Sequence, residues 1–208
     1  MALQIKVCGI TRKEDLQAIA AAGTHYAGFI FYEKSPRYVG DKLLPATVQN
    51  FRQVQKTGVF VNAAEDTIRQ QTADYGLDLL QLHGAETPAD CERLRRFRPV
   101  MKAFRLKDAR DLAGVRPYEQ VCDFFLFDTA GKLYGGNGTG FDWTILRHYD
   151  GQTPFFLSGG IGPEHAEALR QFNHPQWTGV DINSRFETAP GIKNTKAIKQ
   201  FIWDLNIS

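Results

Sequence analysis

The sequence predicts an α/β protein folded as a (β/α)8 TIM barrel, with eight parallel strands in a single domain over residues 1–208. Short β-rich runs alternate with amphipathic helical stretches along the whole chain, and no proline- or serine-rich linker interrupts them. This alternation is typical of a parallel sheet, which is either open or closed into a barrel. Eight runs favour the barrel, because open doubly wound sheets more often have about five or six strands.

The predicted strands are short runs separated by helix-start and helix-stop signals. In chain order the runs are L-Q-I-K-V (3–7), Y-A-G-F-I-F-Y (26–32), T-G-V-F-V (57–61), L-D-L-L-Q-L (77–82), V-M-K-A-F (100–104), D-F-F-L-F (123–127), P-F-F-L-S (154–158) and T-G-V-D-I (178–182). The helix signals are capping-box spacing at Thr11–Glu14 and Thr87–Asp90, first-turn prolines at Pro88 and Pro163, and C-terminal glycines at Gly23 and Gly76.

The composition is ordinary for a globular protein, with 43% hydrophobic and 23% charged residues. The net charge of +2 comes from 25 basic and 23 acidic residues spread through the chain, so we expect no nucleic-acid or membrane partner. No apolar run approaches the roughly 20 residues that span a bilayer, and no leader pattern precedes the first strand, so we expect a cytoplasmic protein. Three cysteines at unrelated spacings predict free thiols and no metal site.

Cys8 ends the first predicted strand, in K-V-C-G-I-T, and is the first candidate for chemistry. In a barrel the active site lies at the carboxyl ends of the strands, which is where Cys8 falls. Lys6 projects from the same side of the strand, where its ammonium would favour a thiolate. Two alternatives stay open: Cys8 is a small buried hydrophobe, or Lys6 pairs with an acidic side chain in the barrel. Packing is the better interpretation of Cys91 and Cys122.

Asp128 follows the sixth run and is the second catalytic candidate. A thiol and a carboxylate that face one cavity from different strands would form an acid/base pair. We expect a hydrophobic collar of Phe124, Phe125 and Phe127 to raise the pKa of the Asp128 carboxyl. The alternative is that Asp128 only caps the loop that follows it.

A glycine-rich turn after the seventh run predicts an anion site. In L-S-G-G-I-G-P-E, Gly159 and Gly160 lie between a strand and a helix, where backbone N–H groups attract an anion. Barrels frequently bind phosphate through the loops after strands seven and eight, and the eighth run is followed by Asn183 and Ser184. The alternative is that the glycines merely make a tight turn.

Three further polar residues follow strand ends. Arg37, in a turn stiffened by Pro36, has a rigid fork that suits a carboxylate, although a surface arginine is the common case. Gln81 and His83 share one face, and His83 is either a substrate contact or a structural histidine. The five-glycine loop over residues 129–143 is interpreted as a mobile lid rather than a dinucleotide fingerprint.

Taken together, these motifs resemble those of the phosphoribosylanthranilate isomerase family. The matches run the full length of the chain, in order and at every strand end. They are K-V-C-G-I-T-R, F-I-F-Y-E-K-S-P-R-Y, G-V-F-V-N, L-Q-L-H-G, F-D-T followed by G-G-N-G-T-G-F-D-W, L-S-G-G-I-G-P-E, and V-D-I-N-S-R-F-E-T-A-P-G-I-K.

The resemblance implies a cofactor-free Amadori rearrangement in tryptophan biosynthesis. A small phosphorylated substrate, N-(5-phosphoribosyl)anthranilate, would become 1-(o-carboxyphenylamino)-1-deoxyribulose 5-phosphate, with no obligatory protein partner evident. The acid that matches Asp128 protonates the furanose oxygen, and the cysteine that matches Cys8 removes the C2 proton. Arg37 matches the arginine that holds the anthranilate, and the seventh-loop glycines match the phosphate site. Asp181 is also matched and is predicted to contact substrate.

One departure from the family pattern follows the eighth run. The family often reads D-x-S-S-G-x-E, whereas this chain has Asn183 for a serine and Arg185 for a glycine. Asn183 can still hydrogen-bond a phosphate, while Arg185 either adds a contact or points outward. Two other functions compete: the related isomerase of histidine biosynthesis, against which Cys8 argues, and a catalytically silent barrel that only binds a phosphorylated metabolite.

Overall fold

The computed structural model describes residues 3–129 and 143–206 and contains a closed barrel of eight parallel strands. Each strand pairs with its neighbours in chain order, and β1 pairs with β8 to close the barrel. The predicted fold is confirmed, and each predicted run overlaps one strand. The strands are β1 (Gln4–Val7), β2 (Tyr26–Ile30), β3 (Gln55–Phe60), β4 (Leu79–Leu82), β5 (Val100–Leu106), β6 (Phe124–Thr129), β7 (Phe155–Ser158) and β8 (Trp177–Ile182).

The α-helices of the described residues pack outside this barrel. They are α1 (Lys13–Ala21), α2 (Pro45–Gln49), α3 (Glu65–Tyr75), α4 (Pro88–Arg95), α5 (Ala166–Gln171) and α6 (Thr195–Asn206). Thr87 and Asp90 form the predicted capping box, and Gly76 ends α3 with a left-handed φ of 61°. The predicted box at Thr11–Glu14 is wrong, because the Thr11 hydroxyl donates instead to the Gly191 carbonyl at 2.6 Å. None of the described helices is long and apolar enough to cross a membrane.

The connections after β5 and β6 differ from the predicted helices. In the described residues they contain 3₁₀ helices at Ala109–Gly114, Arg116–Tyr118 and Trp143–His148. Pro117 supplies no backbone N–H and its ring obstructs the preceding turn, so one continuous α-helix cannot form there. The predicted lid falls almost entirely on residues 130–142, which lie outside the described residues. A short hairpin, β9 (Glu187–Ala189) and β10 (Ile192–Lys193), was not predicted.

The barrel wall separates two apolar clusters. The outer cluster lies between the strands and the helices and includes Ile5 and Val7. The inner cluster fills the barrel and consists of Tyr26, Leu79, Met101, Ala103, Leu126 and Phe156. Because successive side chains of a strand point to opposite faces, Lys6 and Cys8 face the interior when Ile5 and Val7 face outward. The inner cluster therefore forms a floor beneath the carboxyl ends of the strands.

Candidate active site

A cavity of about 320 Å³ opens at the carboxyl ends of the strands, where active sites of barrels lie. Nine of the ten predicted site residues line it: Cys8, Gln81, His83, Asp128, Gly159, Gly160, Asp181, Asn183 and Ser184. Arg37, the tenth, is outside the lining, although Ser35 belongs to it. A larger opening of about 660 Å³ lies at the other end of the barrel, around Gln4 and Tyr26, away from all ten residues.

Cys8 lies in the cavity wall beside a buried ion pair. The Lys6 ammonium donates to Asp181 Oδ1 at 2.8 Å, and the Lys6 and Asp181 side chains are 0% and 6% exposed. The alternative in which Lys6 pairs with an acidic side chain is therefore confirmed. Gly28 on β2 leaves room for this cluster, because a Cβ there would lie 2.9 Å from Cys8 Sγ and 3.1 Å from Lys6 Nζ.

The charges around Cys8 act in opposite directions on its pKa. Burial raises the pKa of the Cys8 thiol and Asp181 adds to the rise, whereas Lys6 and Lys193 lower it. Lys6 thus favours the thiolate as expected, but burial outweighs it and the pKa lies above the ordinary thiol value. Burial also lowers the pKa of Lys6, but Asp181 and Cys8 outweigh that effect and raise it. Lys6 is therefore a cation beside the thiol at neutral pH.

Asp128 stands at the end of β6 in a row of three polar side chains. Asp128 Oδ2 lies 3.4 Å from His83 Nε2, and His83 Nδ1 lies 3.0 Å from the amide nitrogen of Gln81. The Gln81 carbonyl oxygen is buried and has no hydrogen-bond partner in the described residues. Since Gln81 also lines the cavity, this oxygen is an acceptor available to a bound hydroxyl or N–H group.

The predicted aromatic collar does not surround Asp128. Phe125 and Phe127 pack in the outer cluster, on the face of β6 opposite to Asp128. Phe124 shares the face of Asp128 but packs against the floor, with its ring centroid 5.7 Å from that of Phe156. The prediction overlooked the alternation of side chains along the strand.

The loop after β7 combines a tight turn with access to the cavity. Gly159 and Gly160 have φ values of 92° and 66°, a region that favours glycine. Asn183 and Ser184 line the same cavity from the end of β8. The helical segment that follows the loop is brief, and the Gly162 N–H already donates to His165 Nδ1 at 2.9 Å. The donors that this loop offers to an anion are therefore those of the glycine turn and of the two polar side chains.

Arg37 is held by a carboxylate that the sequence reasoning did not identify. Its Nε donates to both oxygens of Glu187 at 2.9 Å, and its Nη2 donates to Oε2 at 2.5 Å. Lys193 donates to the same carboxylate at 2.7 Å and to Asn183 Oδ1 at 2.9 Å. Glu187 and Lys193 flank a Pro-Gly dipeptide, a turn signal that predicts a hairpin but not its partners.

Comparison with known proteins decides the family. Residues 5–204 match the family model described as N-(5′-phosphoribosyl)anthranilate (PRA) isomerase. The chain belongs to this family. The N-(5′-phosphoribosyl)anthranilate isomerase of Parabacteroides distasonis is 45% identical over 201 residues, covering 95% of this chain and 91% of that protein. The Phocaeicola vulgatus protein of the same name is also 45% identical, over 95% of each chain.

Solved structures of the family have the same fold. The phosphoribosyl anthranilate isomerase of Thermotoga maritima superposes with a TM-score of 0.86 at 31% identity, over 98% of both chains. A second isomerase structure, at 30% identity and a TM-score of 0.84 over 98% of both chains, is in complex with reduced 1-(o-carboxyphenylamino)-1-deoxyribulose 5-phosphate. That protein therefore binds a phosphorylated molecule with a carboxylate at its other end.

Arg185, the residue that departs from the family pattern, forms an ion pair with an exposed side chain. Its Nη2 pairs with Glu164 Oε1 in the loop after β7. Both side chains are about half exposed, at 55% and 50%. The pair connects the two loops that carry Gly160 and Ser184.

Proposed function

We propose that this protein catalyses the rearrangement of N-(5-phosphoribosyl)anthranilate to 1-(o-carboxyphenylamino)-1-deoxyribulose 5-phosphate by general acid/base catalysis. The chain's membership of the isomerase family supports the reaction. The single observation that supports the mechanism is that Cys8 and Asp128 line one cavity together with the Gly159–Gly160 turn. An acid, a base and an anion site thus face the same space.

In the proposed first step, Asp128 donates a proton to the furanose oxygen. The C1–O bond breaks, the lone pair of the anthranilate nitrogen forms the C=N bond of a Schiff base, and the ring opens. His83, 3.4 Å from Asp128, borders the acid on the side of β4. A positioned acid of this kind typically contributes about 10²–10⁴-fold to the rate.

In the second step, the Cys8 thiolate removes the proton from C2. The electron pair of the C–H bond forms the C1=C2 double bond of an enolamine, and the iminium nitrogen becomes a neutral amine. The enolamine then gains a proton at C1 and loses the proton of its C2 hydroxyl, so that C2 becomes the carbonyl carbon of the ketone. Lys6 and Lys193 both favour the thiolate, in opposition to burial, and so assist this step.

Substrate binding in this proposal uses both ends of the cavity. The Gly159–Gly160 turn, Asn183 and Ser184, which line the cavity, bind the phosphate. Arg37, which lies outside the lining beside Ser35, binds the anthranilate carboxylate. Gln81, whose carbonyl oxygen is unpaired in the described residues, accepts a hydrogen bond from the sugar or from the amine. No side chain of this scheme requires a cofactor.

The deciding experiment follows the fluorescence of freshly prepared N-(5-phosphoribosyl)anthranilate in the presence of the purified protein, with and without EDTA. We expect turnover that EDTA does not abolish. Asp128→Asn preserves the shape of the acid but cannot deliver its proton, so kcat should fall by roughly 10²-fold or more. Binding of the substrate without turnover by the wild-type protein would instead support a silent phosphometabolite-binding barrel.

A further inference from the structure

Glu187 holds one edge of Arg37 in a side-on, bidentate arrangement. Its carboxylate accepts from Nε at 2.9 Å and from Nη2 at 2.5 Å, and its side chain is only 3% exposed. The pKa of Arg37 is raised, first of all by this hydrogen bond. Burial raises the pKa of Glu187, but the hydrogen bonds from Arg37 and Lys193 outweigh it and bring the pKa below its ordinary value. The pair is therefore fully charged at neutral pH.

The opposite edge of the same guanidinium has no such partner. Among the described residues, Nη1 makes no hydrogen bond, and the Arg37 side chain is 19% exposed. A guanidinium has five N–H donors, of which Glu187 occupies those along the Nε–Nη2 edge. The remaining Nη1–Nη2 edge is a second fork that matches the geometry of a carboxylate.

Glu187 is itself fixed from the side of the phosphate loops. Its Oε1 accepts from Lys193 Nζ at 2.7 Å and from the Gly191 N–H at 3.1 Å. Lys193 also donates to Asn183 Oδ1. This oxygen lies 2.9 Å from the position that a Cβ on Gly9 would occupy. Arg37 Cδ lies 2.8 Å from that same position, directly after Cys8. The unpredicted hairpin thus packs its charged cluster against the end of β1.

We propose that Glu187 is a positioning residue, which holds Arg37 by one edge so that its other edge receives the carboxylate of the substrate. This inference rests on the proposed function, because it concerns the end of the cavity assigned to the anthranilate group. It adds a residue from the β9–β10 hairpin that touches no substrate and acts through Arg37.

The test compares two competitive ligands, anthranilate and inorganic phosphate, in wild-type protein and Glu187→Gln. The glutamine keeps an oxygen for Lys193 and Gly191 but loses the charge and the second acceptor for Arg37. We expect the inhibition constant of anthranilate and the KM of the substrate to rise roughly tenfold or more. The inhibition constant of phosphate should change less than about twofold, and kcat should fall less than KM rises. Thr188→Ala, an exposed change on the same hairpin, should change none of these values.

A second variant distinguishes a loss of affinity that acts through Arg37 from a general folding defect. Arg37→Lys keeps the charge but has no fork, and in that background Glu187→Gln should cause no further loss of anthranilate affinity. An unchanged anthranilate constant in Glu187→Gln, an equal rise for phosphate, or additive effects with Arg37→Lys would overturn the proposal. If wild-type protein bound anthranilate but turned over no substrate, the proposed function would fail, and direct titration with fluorescent anthranilate would still test Glu187.

Discussion

Two buried lysines, Lys6 and Lys102, each lie beside a carboxylate and a cysteine, but on opposite sides of the barrel wall. Lys6 faces the interior and pairs with Asp181 below Cys8. Lys102 lies on the outer face of β5, between the inward-facing residues Met101 and Ala103, and pairs with Glu86 at 3.1 Å. The same chemical group is therefore buried in two different settings.

The outer lysine is saturated with partners. Lys102 Nζ lies within hydrogen-bond distance of Glu86 Oε2 and of three backbone carbonyls, those of Leu82, Gly84 and Ala103. Glu86 in turn accepts from the N–H groups of Asn62 and Gly84. This cluster fixes the loop that follows β4, and it has no donor left for a ligand.

Among the described residues, the inner lysine makes fewer hydrogen bonds than the outer one. Asp181 is its hydrogen-bonded carboxylate, and the remaining N–H groups of the ammonium lie beside Cys8. Burial of a lysine therefore does not by itself indicate function. A saturated cation stabilises the chain, whereas an unsaturated cation beside a thiol at a cavity changes the chemistry of that thiol.

The largest expected effect is a loss of kcat on substitution of Cys8, the cysteine beside the inner lysine, whereas substitution of Cys91, beside the outer lysine, should have none. Cys8→Ala removes the proposed base, so kcat should fall by about 10²–10⁴-fold with little change in the affinity of a product analogue. Cys91→Ala changes a buried thiol that interacts with Cys122 and Lys102, and should leave kcat unchanged. Steady-state kinetics of the two variants test this, and wild-type-like turnover by Cys8→Ala would remove the thiol from the mechanism.

The second prediction breaks each ion pair in turn. Lys6→Met and Lys102→Met each leave a buried carboxylate unpaired, which should lower the free energy of unfolding by about 3–5 kcal/mol. The kcat of the folded fraction should fall in Lys6→Met and stay unchanged in Lys102→Met. Denaturant unfolding and kinetics below the transition measure both quantities. Equal losses of kcat in the two variants would contradict the view that only the inner lysine, Lys6, affects catalysis.

The third prediction concerns pH. The Cys8 pKa is raised above the ordinary value of about 8.5, first of all by burial, and the proposed base must be unprotonated. Below that pKa the thiolate fraction falls tenfold for each pH unit, so the rate at which iodoacetamide alkylates Cys8 should rise with pH from neutral into the alkaline range. Alkylation is measured rather than kcat/KM because kcat/KM also depends on the proposed acid being protonated. Lys6 lowers the pKa of Cys8, so Lys6→Met should move the rising limb of this pH profile to higher pH. Lys102→Met should leave the limb where it is.

The pH experiment needs a variant without a new unpaired charge. The double change Lys6→Met with Asp181→Asn removes both charges of the inner pair. Because Asp181 raises the Cys8 pKa and Lys6 lowers it, the limb should move less in the double variant than in Lys6→Met. A limb at the same pH in wild type and in Lys6→Met would assign it to a group other than Cys8.

The fold and most of the site could be predicted from the sequence because both depend on the order of the β-rich runs along the chain and on the residues that directly follow each run. Strand ends of a parallel barrel meet at one mouth, so Cys8, Asp128 and Ser184 could be placed together from their positions after β-rich runs. The partners of charged groups could not be predicted in this way. Arg37 and Glu187 are 150 residues apart, and Thr11 leaves its expected cap for a carbonyl 180 residues away. Such contacts depend on how the loops fold back, which no local pattern encodes.

The smallest effect on kinetics should come from breaking the ion pair between Arg185 and Glu164, which is exposed, unlike the pairs of Lys6 and Lys102. Exposed ion pairs contribute only about 0–1 kcal/mol, because water already solvates both charges and salt screens their attraction. Arg185→Gly, which restores the residue that the family often has, should therefore change the KM of the substrate by less than about fivefold and leave kcat unchanged. Glu164→Gln should have the same effect, and combining the two should add nothing, since each removes one interaction. The small rise in KM should vanish at high salt, and a salt-independent loss confined to Arg185→Gly would show that Arg185 contacts the phosphate directly.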